Sequence, residues 1–515
     1  MGSLSFILGS YFQPFGENWQ HIIDHLLFSV LLDTLALLGL NLLGCLVLGV
    51  SLAWFVCRYD FYGRAWLQWL LLLPLVIPPY ITAFIMFDVF DSSGHINAQI
   101  SILDFSLDLH HLGFASVAMI MVFYTYVYWL VRSSLMTMQG TLIEGAKNLG
   151  LGEWGLFFRV VLPLTKPAII GGLGLVMLET LADFGTVSIF NIDTLTTLIY
   201  KTWHSLFDLH TALQISGILL LLVLFVYLCE KTFHNKGLRH NSRQGGGLPR
   251  KKLLGWQAWI VSGFCWTVAV CSFFIPLGSL VFMVLSQSEP IVWQGFFEVL
   301  INTLIIGSGT SVALVILSFI LVTMHHQLSN DFSSSNNATA SNFITKLYAL
   351  LRLGYVFPGS VIAISIVSVL VYLQQSLSSM GFGEILSGGS VLILIWAYMV
   401  RFFAVSLNTL EGSVCRINCN LPSIAMNLGS NQWKIKQRVY LPNLKIAVMS
   451  ALVLVFIEVI KEMPATLLLR PYNWETLAVN IYGYTSEGEW AFAALPALAM
   501  IVLCLFFIGL VFRRM

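Results

Sequence analysis

Charged residues are what this sequence has least of: 10% of its 515 residues are charged, against 57% hydrophobic. Soluble domains carry about 25% charged residues. A water-soluble core cannot absorb such an excess of apolar side chains, so most of the chain must face lipid or other buried helices. The expected class is an all-α polytopic membrane protein. The net charge of +1 carries no information about partners; where the charges fall along the chain carries a good deal.

Other absences narrow the function. The eight cysteines (Cys45, Cys57, Cys229, Cys265, Cys271, Cys415, Cys419 and Cys504) lack metal-ligand spacing and lie mostly in apolar runs, where cysteine behaves as a small hydrophobe. Cys415 and Cys419 are four apart, with no second pair or nearby histidine to complete a site. No GxxxxGK[ST] loop occurs, so nothing in the chain can cradle ATP phosphates. No Ser/His/Asp set or metal cluster stands out at membrane depth, and no catalytic residue is expected. A cleavable signal peptide is not expected either.

What is present is a series of apolar spans at about 30–57, 66–90, 112–138, 167–192 and 212–230, then 257–285, 299–324, 347–373, 388–410, 444–468 and 491–512. These are eleven complete crossings, preceded by an apolar stub in residues 1–12. The stub reads as a truncated first helix, as a start codon placed too late would produce. Residues 1–230 form a first unit with a polar loop at 139–166, and 257–515 a second unit with a polar loop at 411–443. A basic linker, 231–256, joins them. All but Lys201, Lys461 and Arg470 of the 26 Lys and Arg residues fall on the side of the linker, both loops and the C-terminus. By the positive-inside rule that side is cytoplasmic.

The two polar loops echo each other. EGAKNLGLGEWGLFFRVVLP (144–163) is answered by SIAMNLGSNQWKIKQRVYLP (423–442), with Gly150 and Gly429 separated by 429 − 150 = 279 residues. At the same offset Leu162-Pro163 matches Leu441-Pro442, Glu179 matches Glu458, Asp183 matches Glu462, and Thr197-Leu198 matches Thr476-Leu477. Upstream, Pro78 pairs with Pro358 at 280, and Asp33-Thr34-Leu35 with Asn302-Thr303-Leu304 at 269. In each loop a short helix should end at the glycine, which tolerates the left-handed conformation. A second helix, Gly152 to Leu162, should carry Trp154, Phe157, Phe158 and Val161 as an apolar stripe. Pro163 and Pro167 should mark re-entry into the membrane. One such helix alone would suit mere adsorption to the membrane surface; two at matched positions point to docking of a partner.

Glu-x-Ala followed by Gly150 and Leu162-Pro163 resembles the cytoplasmic "EAA" loop of the permease subunits of bacterial binding-protein-dependent ABC importers. The resemblance implies a fused, two-copy permease whose loops are coupling helices seated in clefts of two copies of a cytoplasmic ATPase subunit. It marks Glu144, Ala146, Gly150, Leu162 and Pro163 in the first loop, and Ala425, Gly429, Leu441 and Pro442 in the second. Gly145 departs from the pattern, and Ser423 stands where the second loop should have its glutamate. No cofactor is expected on this chain, since ATP and Mg would belong to the partner; no nucleic-acid partner is expected. The implied location is the bacterial inner membrane, multi-pass.

Residues 178–203 and 457–490 resemble the ferric-iron branch of these permeases. Glu179, Asp183, Glu458 and Glu462 are the candidate translocation residues. Each ionised carboxylate at mid-membrane costs about 2.5–3.5 kcal/mol on insertion scales, and hard oxygen ligands suit a trivalent cation. The alternative role is to pair with Lys461 or backbone donors and hold the fold. A transporter needs transient contacts, so no high-affinity metal site is expected. The loops 193–211 and 469–490, with Asp193, Asp208, Glu475, Glu487 and Glu489, would receive a periplasmic iron-binding protein. Thiamine, polyamine and sulfate permeases share the loop. An ion-coupled secondary transporter is the alternative from another class, since it too is built from internal repeats.

Overall fold

A computed structural model describes residues 2–12, 14–16, 18–90, 112–235, 249–287, 290, 292–330, 346–348, 350–378, 390–418 and 420–512. The first repeat runs through α1 (Gly2–Ser10) and α2 (Trp19–Arg58), then the short strand β1 (Tyr59–Asp60). It continues with α3 (Arg64–Leu70), α4 (Pro79–Phe90), α5 (Leu112–Thr137) and α6 (Gly140–Asn148). Next come α7 (Glu153–Ala182), α8 (Gly185–Ile189), α9 (Leu195–His204) and α10 (Leu209–Asn235). Strand β2 (Lys251–Lys252) closes the linker and pairs in parallel with β1, Tyr59 opposite Lys251 and Asp60 opposite Lys252.

The second repeat opens with α11 (Trp256–Ser286) and α12 (Trp293–Asn330), followed by α13 (Gly359–Ser378) and α14 (Val391–Val414). Its loop holds α15 (Asn420–Asn427) and α16 (Gln432–Asn443). After it come α17 (Lys445–Lys461), α18 (Pro464–Leu469), α19 (Leu477–Ser486) and α20 (Trp490–Phe512). Among the described residues eight helices are long and apolar enough to cross a membrane, or eleven if three bent pairs each count as one crossing. The protein is an all-α polytopic membrane protein.

Two of the three bends correct spans that read as continuous. The 66–90 span turns through 88° between α3 and α4, and the 347–373 span through 112° before α13. Both bends sit at matched Pro78 and Pro358, where a 3-10 turn (Leu73–Val76, Leu353–Val356) runs into an extended residue, Ile77 or Phe357. A proline disfavours helical geometry in the residue before it, which favours a break at each of these two positions. The third bend, 78°, separates α16 from α17. There the Asn443 side chain donates to the Val439 carbonyl at 2.7 Å, a local bond that competes with regular helix.

Packing divides the chain differently from the repeat. One compact unit comprises Gly16–Gln287 and Gly488–Ala494; the other comprises Met1–Phe15, Ser288–Glu487 and Leu495–Met515. Thus α11, which opens the second repeat, packs within the unit built on the first. Its Ser262 hydroxyl donates to the Tyr62 carbonyl at 2.8 Å, Trp259 lies tilted against Tyr62 and Phe264 meets Phe55 edge-on. Helix α1 belongs to the other unit, with Phe6 edge-on to Tyr372 of α13. The core of the first unit contains a polar tie between three crossing helices. Ser116 on α5 donates to Asn41 of α2 at 2.8 Å, and Asn41 donates to Thr180 of α7 at 3.2 Å.

The structure also shifts the register of the repeat near its end. Leu195 and Leu477 each open a ten-residue helix. Their N–H groups donate to Thr34 and Thr303 at 3.2 and 2.9 Å. Thr194-Leu195 therefore corresponds to Thr476-Leu477, an offset of 282, and the sequence match to Thr197-Leu198 is three residues out of step.

Candidate functional site

The twin loops have the same backbone. In the first, α6 ends with Gly150 N–H donating to the Lys147 carbonyl at 2.9 Å and Leu151 N–H to the Ala146 carbonyl at 3.2 Å. In the second, Gly429 N–H donates to Met426 at 2.9 Å and Ser430 N–H to Ala425 at 3.0 Å. Each is a Schellman turn, with Ala146 or Ala425 three positions from the cap and the glycine in the left-handed region. Gly150 has φ +83° and Gly429 φ +78°.

Each loop then makes a π turn, Phe157–Val161 or Lys436–Tyr440. The residue just before proline, Leu162 or Leu441, closes it by donating to the carbonyl five positions back, Phe157 or Lys436. Pro163 and Pro442 have no N–H for the carbonyl four positions back and their rings crowd it, so a widened turn is the local solution; such turns recur at functional sites. Neither proline starts a new helix: α7 runs through Pro163 and Pro167 as one helix.

Each turn leaves large apolar side chains in the open. Leu149 is 87% and Leu428 80% exposed, and Trp154 and Trp433 are 78% and 60% exposed. The expected stripe divides: Trp154 and Phe158 are exposed while Val161 is buried, and Leu156 provides the buried anchor matched by Ile435. Glu144 is exposed, as are Pro163, Leu441 and Pro442; Leu162 is half-buried. The side chain of Ser423 lies outside the described residues.

Arg58 was visible in the sequence only as one more positive charge. In the structure its side chain is 1% exposed and faces Glu153 at the start of α7. The Arg58 Nη2 lies 3.1 Å from Glu153 Oε1, and Nε donates to Oε2 at 3.2 Å. Lys147 and Lys251 approach the same carboxylate at 3.3 and 3.5 Å. Arg58 also donates to the Pro249 carbonyl. The signal was available across the repeat, because the equivalent positions in the second copy are Gln327 (327 − 58 = 269) and Gln432 (432 − 153 = 279).

The four candidate carboxylates occupy the far end of the same helices. Glu179 and Glu458 are half-buried on α7 and α17. Asp183 and Glu462 sit where those helices stop, and each caps the short helix that follows. Asp183 accepts from the Thr186 amide and hydroxyl, both at 3.0 Å, and from the Val187 amide at 3.4 Å. Glu462 accepts from the Ala465 amide at 3.2 Å and from Arg401 Nη1 at 2.9 Å. Among the described residues no group of three or more His, Cys, Asp or Glu side chains converges as metal ligands would.

In the loops beyond these helices, Lys201 pairs with Asp193 and Arg470 with Glu475, both at 2.5 Å. A cavity of about 400 Å³ lies beside Arg470, Glu475, Asn480, Tyr482, Tyr484 and Glu487. Burial raises the Asp208 carboxyl, but hydrogen bonds from Thr211 and Asn18 outweigh it and hold the group below its ordinary range.

A helical membrane chain with paired polar loops fits the class of transport permeases, to which its relatives belong. Residues 46–231 match the family of binding-protein-dependent transport system inner membrane components. The chain is 26% identical over 480 residues to the Fe(3+)-transport system permease protein FbpB 2 of Haemophilus influenzae, covering 92% of this chain and 87% of that one. It is 26% identical to a probable sulfate transport system permease of Chlorella vulgaris, over 42% of this chain and 85% of that one. It is 28% identical to the spermidine/putrescine permease PotB of Escherichia coli, over 33% and 62% respectively. Over residues 46–231 the chain is similar to the binding-protein-dependent permeases.

Proposed function

We propose that this chain is the membrane channel of an ATP-driven importer that moves ferric iron, delivered by a periplasmic binding protein, into the cytoplasm. The observation that carries this is the pair of turns with matched hydrogen bonds and glycine dihedrals, each presenting an exposed leucine and tryptophan beside a π turn. Both loops, the linker and the C-terminus lie on the cytoplasmic side, and each loop seats one copy of an ATPase subunit through those apolar side chains.

The geometry suits transmission of force. Helix α7 starts at the first coupling segment and ends at Ala182, thirty residues or about 45 Å at 1.5 Å per residue. A displacement at Glu153 is therefore carried along a rigid rod to the break at Asp183. ATP binding closes the two ATPase subunits and draws the loops together, which opens the far end to the binding protein. Asp183 and Glu462 hold the helix breaks, while Glu179 and Glu458, one turn earlier, offer the cation hard oxygen contacts of short lifetime.

The iron assignment is supported by likeness to an Fe(3+) permease along nearly the whole chain. Relatives named for sulfate and spermidine/putrescine show similar identity over shorter stretches, so one of those solutes is the second reading. Reconstitution into vesicles with the ATPase and the binding protein separates them. ATP-dependent uptake of radioactive ferric iron is the expected result. Uptake of sulfate or spermidine instead would replace the substrate and keep the class. Uptake on an ion gradient alone, with no ATPase, would overturn the class.

A further inference from the structure

Within the unit built on the first repeat, the linker does more than connect. Its residues Pro249 to Lys252 run beside the end of α2, and Lys251 reaches Glu153 of the first loop. Strand β2 pairs with β1, Leu253 N–H donates to the Asp60 carbonyl at 3.1 Å, and Pro249 accepts from Arg58. Arg58, the last residue of α2, grips Glu153 on the other side through two nitrogens. The guanidinium is thus bonded at once to the membrane helix α2, to the linker and to the first turn of α7. Trp54 of α2 packs at a tilt against Phe157 of the π turn, ring centres 5.1 Å apart, so the contact continues into the turn itself.

A buried guanidinium is expensive unless its partners are fixed, and here every partner belongs to the machinery around one loop. The second copy places neutral Gln327 and Gln432 at both positions. Gln432 is exposed, and the buried Gln327 amide nitrogen finds no hydrogen-bond partner among the described residues. This side chain pair is therefore a feature of one loop only.

We infer that Arg58 is a positioning residue for coupling: with Glu153 and residues 249–252 it locks the first coupling helix to α2 and to the linker, so the first loop transmits displacement more tightly than the second. The inference rests on the assignment of the loops as ATPase-coupling segments.

The test uses the full chain with its ATPase and binding protein in vesicles, and reads substrate taken up per ATP hydrolysed. Arg58→Gln with Glu153→Gln installs the second copy's residues without stranding a buried charge. Uptake per ATP should fall about fivefold while the ATPase subunits still co-purify. Glu153→Asp, which keeps the charge, should restore most of the ratio; a purely structural site would show the same ratio in all three proteins. Gln327→Ala with Gln432→Ala should leave the ratio unchanged, and an equal fall there would overturn the asymmetry. Gly150→Pro provides the separate control. If it abolishes co-purification while the Arg58/Glu153 double variant couples normally, the locking role fails and the coupling loop stands. If Gly150→Pro itself keeps both ATPase and uptake, the coupling-loop assignment fails.

Discussion

Both copies break the same helix at the same place and hold the break by different chemistry. In the second copy Glu462, 5% exposed, caps α18 and pairs with Arg401 of α14. In the first, the shorter Asp183 caps α8 through Thr186 and Val187, and no Lys or Arg pairs with it among the described residues. The first residue of a neighbouring helix, α4 or α13, follows suit. A Cβ on Gly359 would overlap Glu462 Oε1 and Arg401 Nη1, whereas the first copy has Pro79 at the equivalent site (359 − 280 = 79). The lesson is that the first duty of Asp183 and Glu462 is to cap the short helix after each break, since unsatisfied amides cannot be left in lipid. The ion pair is an addition made possible by a glycine.

That contrast predicts a ranked series. Glu462→Ala strands Arg401 and should cost about 3–5 kcal/mol, read as thermal unfolding of the purified protein in detergent. Gly359→Ala should cost about 1–3 kcal/mol by overpacking. In a background of Arg401→Met and Glu462→Met that cost should largely vanish, and an unchanged cost would show that the ion pair is not what the glycine accommodates. Asp183→Ala should lose about 1 kcal/mol as a missing cap, and Asp183→Asn much less, because asparagine caps as well as aspartate. Substrate uptake of Asp183→Asn should stay near that of the natural protein; a stable but inactive variant would show that the charge itself is used in transport. Smallest of all, Glu475→Gln, which releases the partly exposed Arg470, should stay within about 1 kcal/mol.

What was legible beforehand was local. Gly150 and Gly429 in the left-handed region and the short helices before them follow from the conformational freedom of glycine. Even there, continuity misled. The spans 66–90 and 347–373 look unbroken because hydropathy does not register a bend, and α7 passes through two prolines because a π turn absorbs the first. The Thr197–Thr476 match was wrong by three residues because a run of threonines (Thr194, Thr196, Thr197) lets the alignment slide. Only the bond from Leu195 to Thr34 settles the register.

The sequence alone determined that this is a two-copy helical membrane protein with paired polar loops, because apolar length, charge asymmetry and a repeat offset are properties of one dimension. Tertiary structure decided which residues meet across distance. Arg58 finds Glu153 from 95 positions away and Arg401 finds Glu462 from 61, and in the sequence neither arginine differs from any other basic residue near a span end. It also decided that α11 packs with the unit built on the repeat before it, since an apolar helix carries no label saying which neighbour will cover it.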